Sequence, residues 1–223
     1  NVSAVTQNGS EIVIDTTAPT TEISYSSAGP YKENAAVTIT ATFSEDMKLS
    51  PVPQINISGV DTVANTNMTR VSARVYTYAF TASTGNGTNT VRLATGTDLA
   101  GNAVTPTPTN GDTFDIDNLA PDAPTVTFPS TPNDDGTVTI SLATGASTWE
   151  YSTNSGSSFT SGSNTSFVLS QATYAANAIQ VRNTDAAGNV SAVTQNGSEI
   201  IIDTTAPTAE ISYSSAGPYK ENA

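Results

Sequence analysis

The sequence predicts an all-β fold, arranged as Greek-key β-sandwiches of about seven short strands each that follow one another along the chain. Three observations support this prediction: apolar residues alternate with polar ones over short runs, Gly, Asn, Asp and Pro separate those runs, and the motifs recur at fixed spacings. Alternation with a period of two is typical of antiparallel strands that bury one face. No segment has the periodicity of a helix.

The alternation is clearest in two runs, 36–43 and 136–142, where apolar residues are separated by Thr or Ser. Shorter runs show the same pattern around Tyr78, Val91 and Ile179. In such strands every second side chain faces the same side of the sheet, so the apolar set predicts the core. That set is Val37, Ile39, Ala41, Phe43, Tyr76, Tyr78, Phe80, Val91, Leu93, Val138, Ile140, Leu142, Ile179 and Val181.

The first 35 residues recur as the last 35, with Ile201 in place of Val13 and Ala209 in place of Thr21. The offset between the copies is 188 residues. Near-identity at a fixed period indicates duplication within a longer array, in which each unit is large enough to have its own core.

Shorter motifs divide this period. Asp15-Thr-Thr-Ala-Pro recurs with variation at Asp117 and Asp203, which are 102 and 86 residues apart. Proline stiffens such linkers and interrupts sheet hydrogen bonding. We therefore expect four parts. They are the last strand of a preceding domain (1–15), domain one (16–117), domain two (118–203) and the first strand of a further copy of domain one (204–223).

Composition excludes several function classes. The chain has 20 acidic and 7 basic residues and a net charge of −13, which disfavours binding to nucleic acid or to a membrane surface through phosphates. No apolar run approaches the roughly 20 residues that a membrane helix needs, so we expect no membrane insertion. Without Cys or His it has no thiol nucleophile, no histidine base and few ligands for zinc. No nucleophile has an evident base, and we expect no enzymatic activity.

Four motifs together resemble a known family. These are FSEDM at 43–47, the three Asp-x-x-Ala-Pro linkers, the Asp-x-Ala-Gly-Asn loops at 98–102 and 185–189, and WEYSTNSGSSF at 149–159. The ordered set is similar to the bacterial immunoglobulin-like repeats of giant secreted adhesins and biofilm-associated surface proteins. The resemblance implies an extracellular stalk on the bacterial surface, neighbouring repeats as partners, and calcium at the junctions between domains.

An A-to-G strand order places candidate calcium ligands at both ends of each domain. Calcium takes about 6–8 oxygen ligands, which carboxylates, amides, carbonyls and water supply. Asp115 and Asp122 give the junction after domain one extra carboxylates, so we expect it to bind calcium more strongly than the other junction. The candidates are Asp15, Glu45, Asp46, Asp98 and Asn102 (top of domain one), Glu33, Asn34, Asp115 and Asp117 (its bottom), Asp185 and Asn189 (top of domain two), and Asp134, Asp135 and Asp203 (its bottom).

Other interpretations stay open for some of these residues. Asp98 and Asp185 are also suited to hold a turn by hydrogen bonds to its backbone, without metal. Trp149 and Tyr151 share a strand face, which predicts core residues or, if the rings are exposed, a carbohydrate-binding surface. Tyr25 and Tyr31 are candidates for contacts between domains or chains.

A self-assembling extracellular filament is the main alternative function. Residues 1–14 and 208–223 read as single strands separated from their domains. Unpaired strand edges associate readily, so identical chains or neighbouring periods would complete them.

Overall fold

A computed structural model describes residues 14–212 and Gly217. Within these residues the fold is all-β, as the alternation predicts, with 17 strands, only antiparallel pairing between them and no helix. Accordingly, no helix among these residues is long and apolar enough to cross a membrane. The two end strands expected at 1–14 and 208–223 lie largely outside the described residues. Residues 204–212, which are described, contain no strand. The filament alternative therefore stays a prediction.

The described chain forms two compact units. Unit 1 contains the described residues up to Pro121, together with Gly145–Ser147 and Thr184–Ser191. Unit 2 contains Asp122–Thr144, Thr148–Asn183 and the described residues from Ala192 onward.

Two four-stranded sheets form the part of the chain before Pro121. Their strand orders are β1-β2-β6-β5 and β4-β3-β7-β8. Both sheets contribute side chains to one core, which is consistent with a β-sandwich. The strands are β1 (Thr21–Tyr25), β2 (Ala36–Phe43), β3 (Gln54–Gly59), β4 (Val63–Asn67), β5 (Thr69–Arg70), β6 (Val75–Thr81), β7 (Gly87–Leu93) and β8 (Thr113–Ile116).

The core of unit 1 follows the predicted alternation. All four residues of 36–43 that the alternation assigns to the core are buried on β2, and its threonines are exposed or lie at intermediate depth. Tyr31 is only 5% exposed and packs edge-on against Phe114, with ring centroids 6.0 Å apart. The suggestion that Tyr31 serves contacts between domains or chains is therefore wrong, because its ring fills the core of its own unit. Tyr25 is partly buried against the same Phe114.

Nine further strands follow Pro121. They form sheets with the orders β13-β10-β9, β12-β11-β15-β16 and β14-β17. These strands are β9 (Thr125–Thr127), β10 (Thr137–Ser141), β11 (Ala146–Ser152), β12 (Thr160–Ser161), β13 (Ser166–Val168), β14 (Ala172–Tyr174), β15 (Gln180–Asp185), β16 (Thr194–Gln195) and β17 (Ile200–Ile202).

The second core is organised around Trp149, which is 3% exposed and donates a hydrogen bond from Nε1 to the Asn164 carbonyl at 3.1 Å. Tyr151 and Phe167 stack beside it with centroids 4.0 Å apart. Leu142, which the alternation assigns to the core, is 40% exposed. The strand β10 ends at Ser141, so the alternation no longer fixes where the next side chain points.

Candidate metal centre

The loop at 98–102 is a tight turn built around one carboxylate. A bridge between Thr97 and Ala103 closes it, and Gly101 has a φ of +108°, a conformation that residues with a Cβ rarely adopt. The Asp98 side chain is 1% exposed and accepts hydrogen bonds from the Gly101 amide (2.6 Å), the Asn102 amide (2.8 Å) and Asn102 Nδ2 (2.8 Å). Asp98 therefore has the turn-forming role that its motif permits.

The loop at 185–189 repeats this construction. A bridge between Thr184 and Val190 closes it, and Gly188 has a φ of +87°. Asp185 accepts hydrogen bonds from the Asn189 amide at 2.8 Å and from Asn189 Nδ2 at 3.0 Å. The shared motif thus specifies a shared loop.

Three carboxylates meet beside the first of these loops. Met47 bridges to Asp98, which places the preceding Glu45 next to the loop, and Asn102 Nδ2 donates to the Asp15 carbonyl at 3.2 Å. One carboxylate oxygen each from Asp15, Glu45 and Asp98 lie within 4.8 Å of one another. We call these three residues the acidic cluster. It is the one group of three or more potential metal-ligating side chains within residues 14–212 and Gly217.

The acidic cluster perturbs the pKa of Glu45. Burial raises this pKa, and the negative charges of Asp15 and Asp98 raise it further, while Arg74 acts in the opposite direction. The negative charges of Asp15 and Asp98 therefore disfavour the ionised form of Glu45 when no cation balances them.

Asp98 responds differently because the turn stabilises its charge. Burial by itself acts to raise the pKa of Asp98, but the hydrogen bonds from Asn102 and Gly101 outweigh it and hold this pKa below its ordinary value. An Asp98 carboxylate fixed in its ionised form is ready to act as an oxygen ligand.

The other two candidates at this end have different partners. Asp46 forms an ion pair with Arg74, with Oδ1 and Nε 2.6 Å apart. Asn102 uses its amide nitrogen to hold the loop and the linker, as described above. The structure thus gathers the carboxylates of three of the five residues expected at the top of domain one, and Asn102 is hydrogen-bonded to two of these three residues.

The candidates at the bottom of domain one lie close in the fold, but their carboxylates do not gather. The Glu33 amide donates to Asn118 Oδ1 at 2.6 Å, and the Asn34 amide donates to the Ala82 carbonyl at 3.0 Å. Asp115 accepts a hydrogen bond from Thr88 Oγ1 at 2.6 Å, on the paired strand β7. The Asp117 carboxylate accepts from the Leu119 amide at 3.0 Å.

In domain two the remaining acids also hold local backbone. Asp135 accepts from the Thr137 amide at 2.6 Å, and Asp203 accepts from the Thr205 amide at 2.9 Å. Asp134 is exposed and, with Asp203, lines a shallow concave surface. Within the described residues neither these acids nor Asp185 belong to a group of three carboxylates.

The donor chemistry of the acidic cluster fits a hard divalent cation. It offers carboxylate oxygens and no nitrogen or sulfur, which suits calcium and not zinc. Asp15, Glu45 and Asp98 would supply three of the about 6–8 oxygens that calcium needs, with carbonyls and water completing the shell. The sequence predicts that the junction after domain one binds calcium more strongly than the other junction, because of Asp115 and Asp122. This geometry does not support that prediction, since among the described residues neither aspartate belongs to a group of three carboxylates.

The structure also shows polar contacts that the sequence did not indicate. Ser44 Oγ accepts a hydrogen bond from the Thr20 amide at 3.0 Å, next to the acidic cluster. Gln171 contacts both Thr204 and Thr205 through its side-chain amide. Gln171 belongs to none of the quoted motifs. Ser44 lies within FSEDM, but that motif does not indicate its contact with Thr20.

A carbohydrate-binding surface would require the Trp149 ring to be exposed. Trp149 is buried in the core, so its ring face is not available to stack on a sugar.

No protein-family model matches the sequence, and no curated protein matches it significantly. The likeness to bacterial immunoglobulin-like adhesin repeats therefore rests on the motifs quoted above.

Proposed function

We propose that the chain is a structural repeat segment of an extracellular bacterial surface protein, in which calcium stiffens a stalk that holds an adhesin away from the cell. The observation that carries the proposal is the acidic cluster. Its Asp15 belongs to the linker that enters domain one, whereas Glu45 and Asp98 belong to loops of the sandwich. A cation bound by all three would tie the linker to the domain it enters.

The energetics of the acidic cluster favour this role. The raised pKa of Glu45 reflects burial and repulsion by its two neighbours, and a bound divalent cation offsets both costs. Extracellular calcium modules bind with a Kd of about 10⁻⁴–10⁻³ M. A ligand at a hundredfold excess over its Kd stabilises the state that binds it by about 2.7 kcal/mol.

The strand order of unit 1 supports an immunoglobulin-like assignment. Its sheets read A-B-E-D and C′-C-F-G when the strands are lettered in chain order with β4 as C′. Constant-type immunoglobulin sandwiches have the sheets ABED and CFG. In such a sandwich the B–C and F–G connections emerge at the same end, and these are the connections that carry Glu45 and Asp98.

Calorimetric titration of the chain with calcium tests the proposal. We expect uptake in the range of about 10⁻⁴–10⁻³ M and a melting temperature that is higher in calcium than in chelator. Glu45→Gln removes one carboxylate ligand and should lower the affinity by about tenfold or more.

Glu199→Gln is the matched control, because Glu199 is an exposed glutamate outside the acidic cluster. It should bind calcium as the unchanged chain does. Absence of calcium uptake by the unchanged chain, or equal affinities for Glu45→Gln and Glu199→Gln, would falsify the assignment of the acidic cluster as the metal site.

A further inference from the structure

The linker Asp-Thr-Thr-Ala-Pro occurs twice in the described chain, at 15–19 and at 203–207. The first copy leads into a described sandwich, and the second copy leaves one. Residues 204–223 repeat 16–35 with the one change of Thr21 to Ala209. The first copy therefore shows how the linker contacts the part of the chain that follows it, and the second copy shows how it contacts the part that precedes it.

The first copy shows how the linker is held by the domain that follows it. The Asp15 carbonyl accepts a hydrogen bond from Asn102 Nδ2 at 3.2 Å. Within the linker, the Thr17 amide donates to Asp15 Oδ1 at 2.9 Å.

The second copy shows how the linker is held by the domain that precedes it. The Asp203 amide donates to the Asn133 carbonyl at 2.9 Å. Thr204 Oγ1 donates to Gln171 Oε1 at 2.7 Å, and Gln171 Nε2 donates to Thr205 Oγ1 at 2.9 Å.

These two sets of hydrogen bonds use different atoms of the linker. The domain before the linker forms hydrogen bonds with the aspartate N–H and with the two threonine hydroxyls. The domain after the linker forms a hydrogen bond with the aspartate C=O. The internal turn is the same in both copies, since the Thr205 amide donates to Asp203 Oδ1 at 2.9 Å just as Thr17 does to Asp15. One linker is thus able to make both sets simultaneously.

In the third linker, which begins at Asp117, a single aspartate uses both its N–H and its C=O in hydrogen bonds. In unit 1 the Asp117 amide donates to the Tyr31 carbonyl at 2.9 Å, and the Asp117 carbonyl accepts from Asn189 Nδ2 at 2.9 Å. The Leu119 amide donates to Asp117 Oδ1 at 3.0 Å, which reproduces the turn.

We propose that domain two carries a docking surface for the next copy of domain one, in which Gln171 and Asn133 hold the Asp203 linker while the Asn102 of the next copy holds its other side. The partner is a second copy of this chain's own repeat. This joint rests on the proposed function as a stalk, but its hydrogen bonds need no cation, so the stalk keeps a preferred joint geometry without calcium. Gln171 is a positioning residue in this joint.

Pulsed electron paramagnetic resonance on a chain of residues 1–188 followed by a complete copy of residues 1–223 tests the proposal. The protein has no cysteine, so two introduced cysteines take nitroxide labels uniquely. Suitable exposed sites are Ala176→Cys in the first copy and Leu49→Cys in the second. In calcium-free buffer we expect one narrow distance distribution, and Gln171→Ala in the first copy should widen it at least twofold.

Two further variants sharpen the result. Gln171→Glu keeps an acceptor for Thr204 but loses the donor to Thr205, so its distribution should be of intermediate width. Gln195→Ala changes an exposed glutamine in β16 and should leave the width unchanged. Circular dichroism melting of each variant checks that the domains stay folded.

If the distance distribution in calcium-free buffer is equally wide for the unchanged chain and for Gln171→Ala, the proposed hydrogen-bonded joint is wrong. Calcium addition tests the proposed function separately. If calcium narrows the distribution in Gln171→Ala but not in the same variant that also carries Glu45→Gln in the second copy, the cation site stands whatever the outcome for Gln171 alone. If calcium has no effect while Gln171→Ala widens the distribution, the hydrogen-bonded joint stands and calcium stiffening fails.

Discussion

The loops at 98–102 and 185–189 have the same backbone construction but different surroundings. Each is closed by a bridge, turned by a glycine with positive φ, and held by an aspartate that accepts from the asparagine four residues later. Only the first lies within a group of three carboxylates among the described residues. The motif therefore specifies a turn, and its neighbours decide whether further carboxylates lie beside that turn.

The difference originates in the connection that follows the second strand of each sandwich. After β2 the chain continues Ser-Glu-Asp-Met, and the bridge from Met47 to Asp98 places Glu45 beside the loop. After β10 the chain continues Leu-Ala-Thr-Gly, which contains no acid. The acidic cluster thus depends on residues that are distant in sequence from the motif at 98–102.

Removal of the two aspartates should show the largest effects. In calcium-free buffer we expect Asp98→Ala to lower the melting temperature by roughly 10 °C and Asp185→Ala by about half as much. Asp98 accepts one more backbone amide than Asp185 and is more deeply buried, so its loss leaves more donors unpaired.

Differential scanning calorimetry measures both effects. Asp134→Ala serves as the control, since this exposed aspartate should change the melting temperature little. Equal stability of Asp98→Ala and Asp134→Ala would show that the turn does not depend on its carboxylate, and the comparison between the loops would lose its basis.

The fold could be predicted from sequence where alternation was sustained. The expected strand 36–43 corresponds to β2 residue for residue, because eight alternating residues fix both the period and the buried face. The direction of a side chain just beyond the end of a strand is harder to predict. Leu142 continues the pattern of β10 in sequence, yet hydrogen bonding stops at Ser141 and the side chain is exposed.

The candidate site could be predicted only in part. The order of strands was sufficient to place Asp15, Glu45 and Asp98 at one end of domain one. It could not decide between Glu45 and Asp46, because the choice depends on Arg74, a partner 28 residues away. Likewise, the Thr88 partner of Asp115 follows from the register of β7 with β8, which the sequence does not state.

The pH dependence of stability separates two members of the acidic cluster, Glu45 and Asp98. A folded-state pKa above the ordinary value of 4.5 means that protonated Glu45 stabilises the fold at low pH, and this contribution is lost as pH rises through the folded value. Asp98 has the opposite sign, so its contribution is lost only as pH falls below its ordinary value of 3.8. In calcium-free buffer we expect the melting temperature of the unchanged chain to fall as pH rises through the folded pKa of Glu45, and Glu45→Gln should lose this fall.

Melting curves recorded between about pH 4 and 7 measure this fall. Glu199→Gln should retain it, since Glu199 lies outside the acidic cluster. Saturating calcium should reduce it in the unchanged chain, because a bound cation favours ionised Glu45. A fall that persists in Glu45→Gln would assign the dependence to other groups and remove the electrostatic contrast between the loops.

The smallest predicted effect concerns Arg74, the cation that already borders the acidic cluster. It pairs with Asp46, and both side chains are about half exposed, at 56% and 47%. Arg74→Ala removes a positive charge that opposes calcium and releases Asp46, so calcium affinity should rise by about twofold at low salt.

Titration of Arg74→Ala at two salt concentrations measures this gain, which should disappear near about 0.5 M salt because exposed charges are screened. Arg92→Ala is the matched control, since Arg92 pairs with Asp112 at 3.4 Å in a similarly exposed ion pair. Lower calcium affinity in Arg74→Ala would mean that Arg74 contributes by positioning the connection that carries Glu45. The site would then depend on an ion pair that the loop at 185–189 does not have, and the contrast between the loops would originate in this pair as well as in the carboxylates.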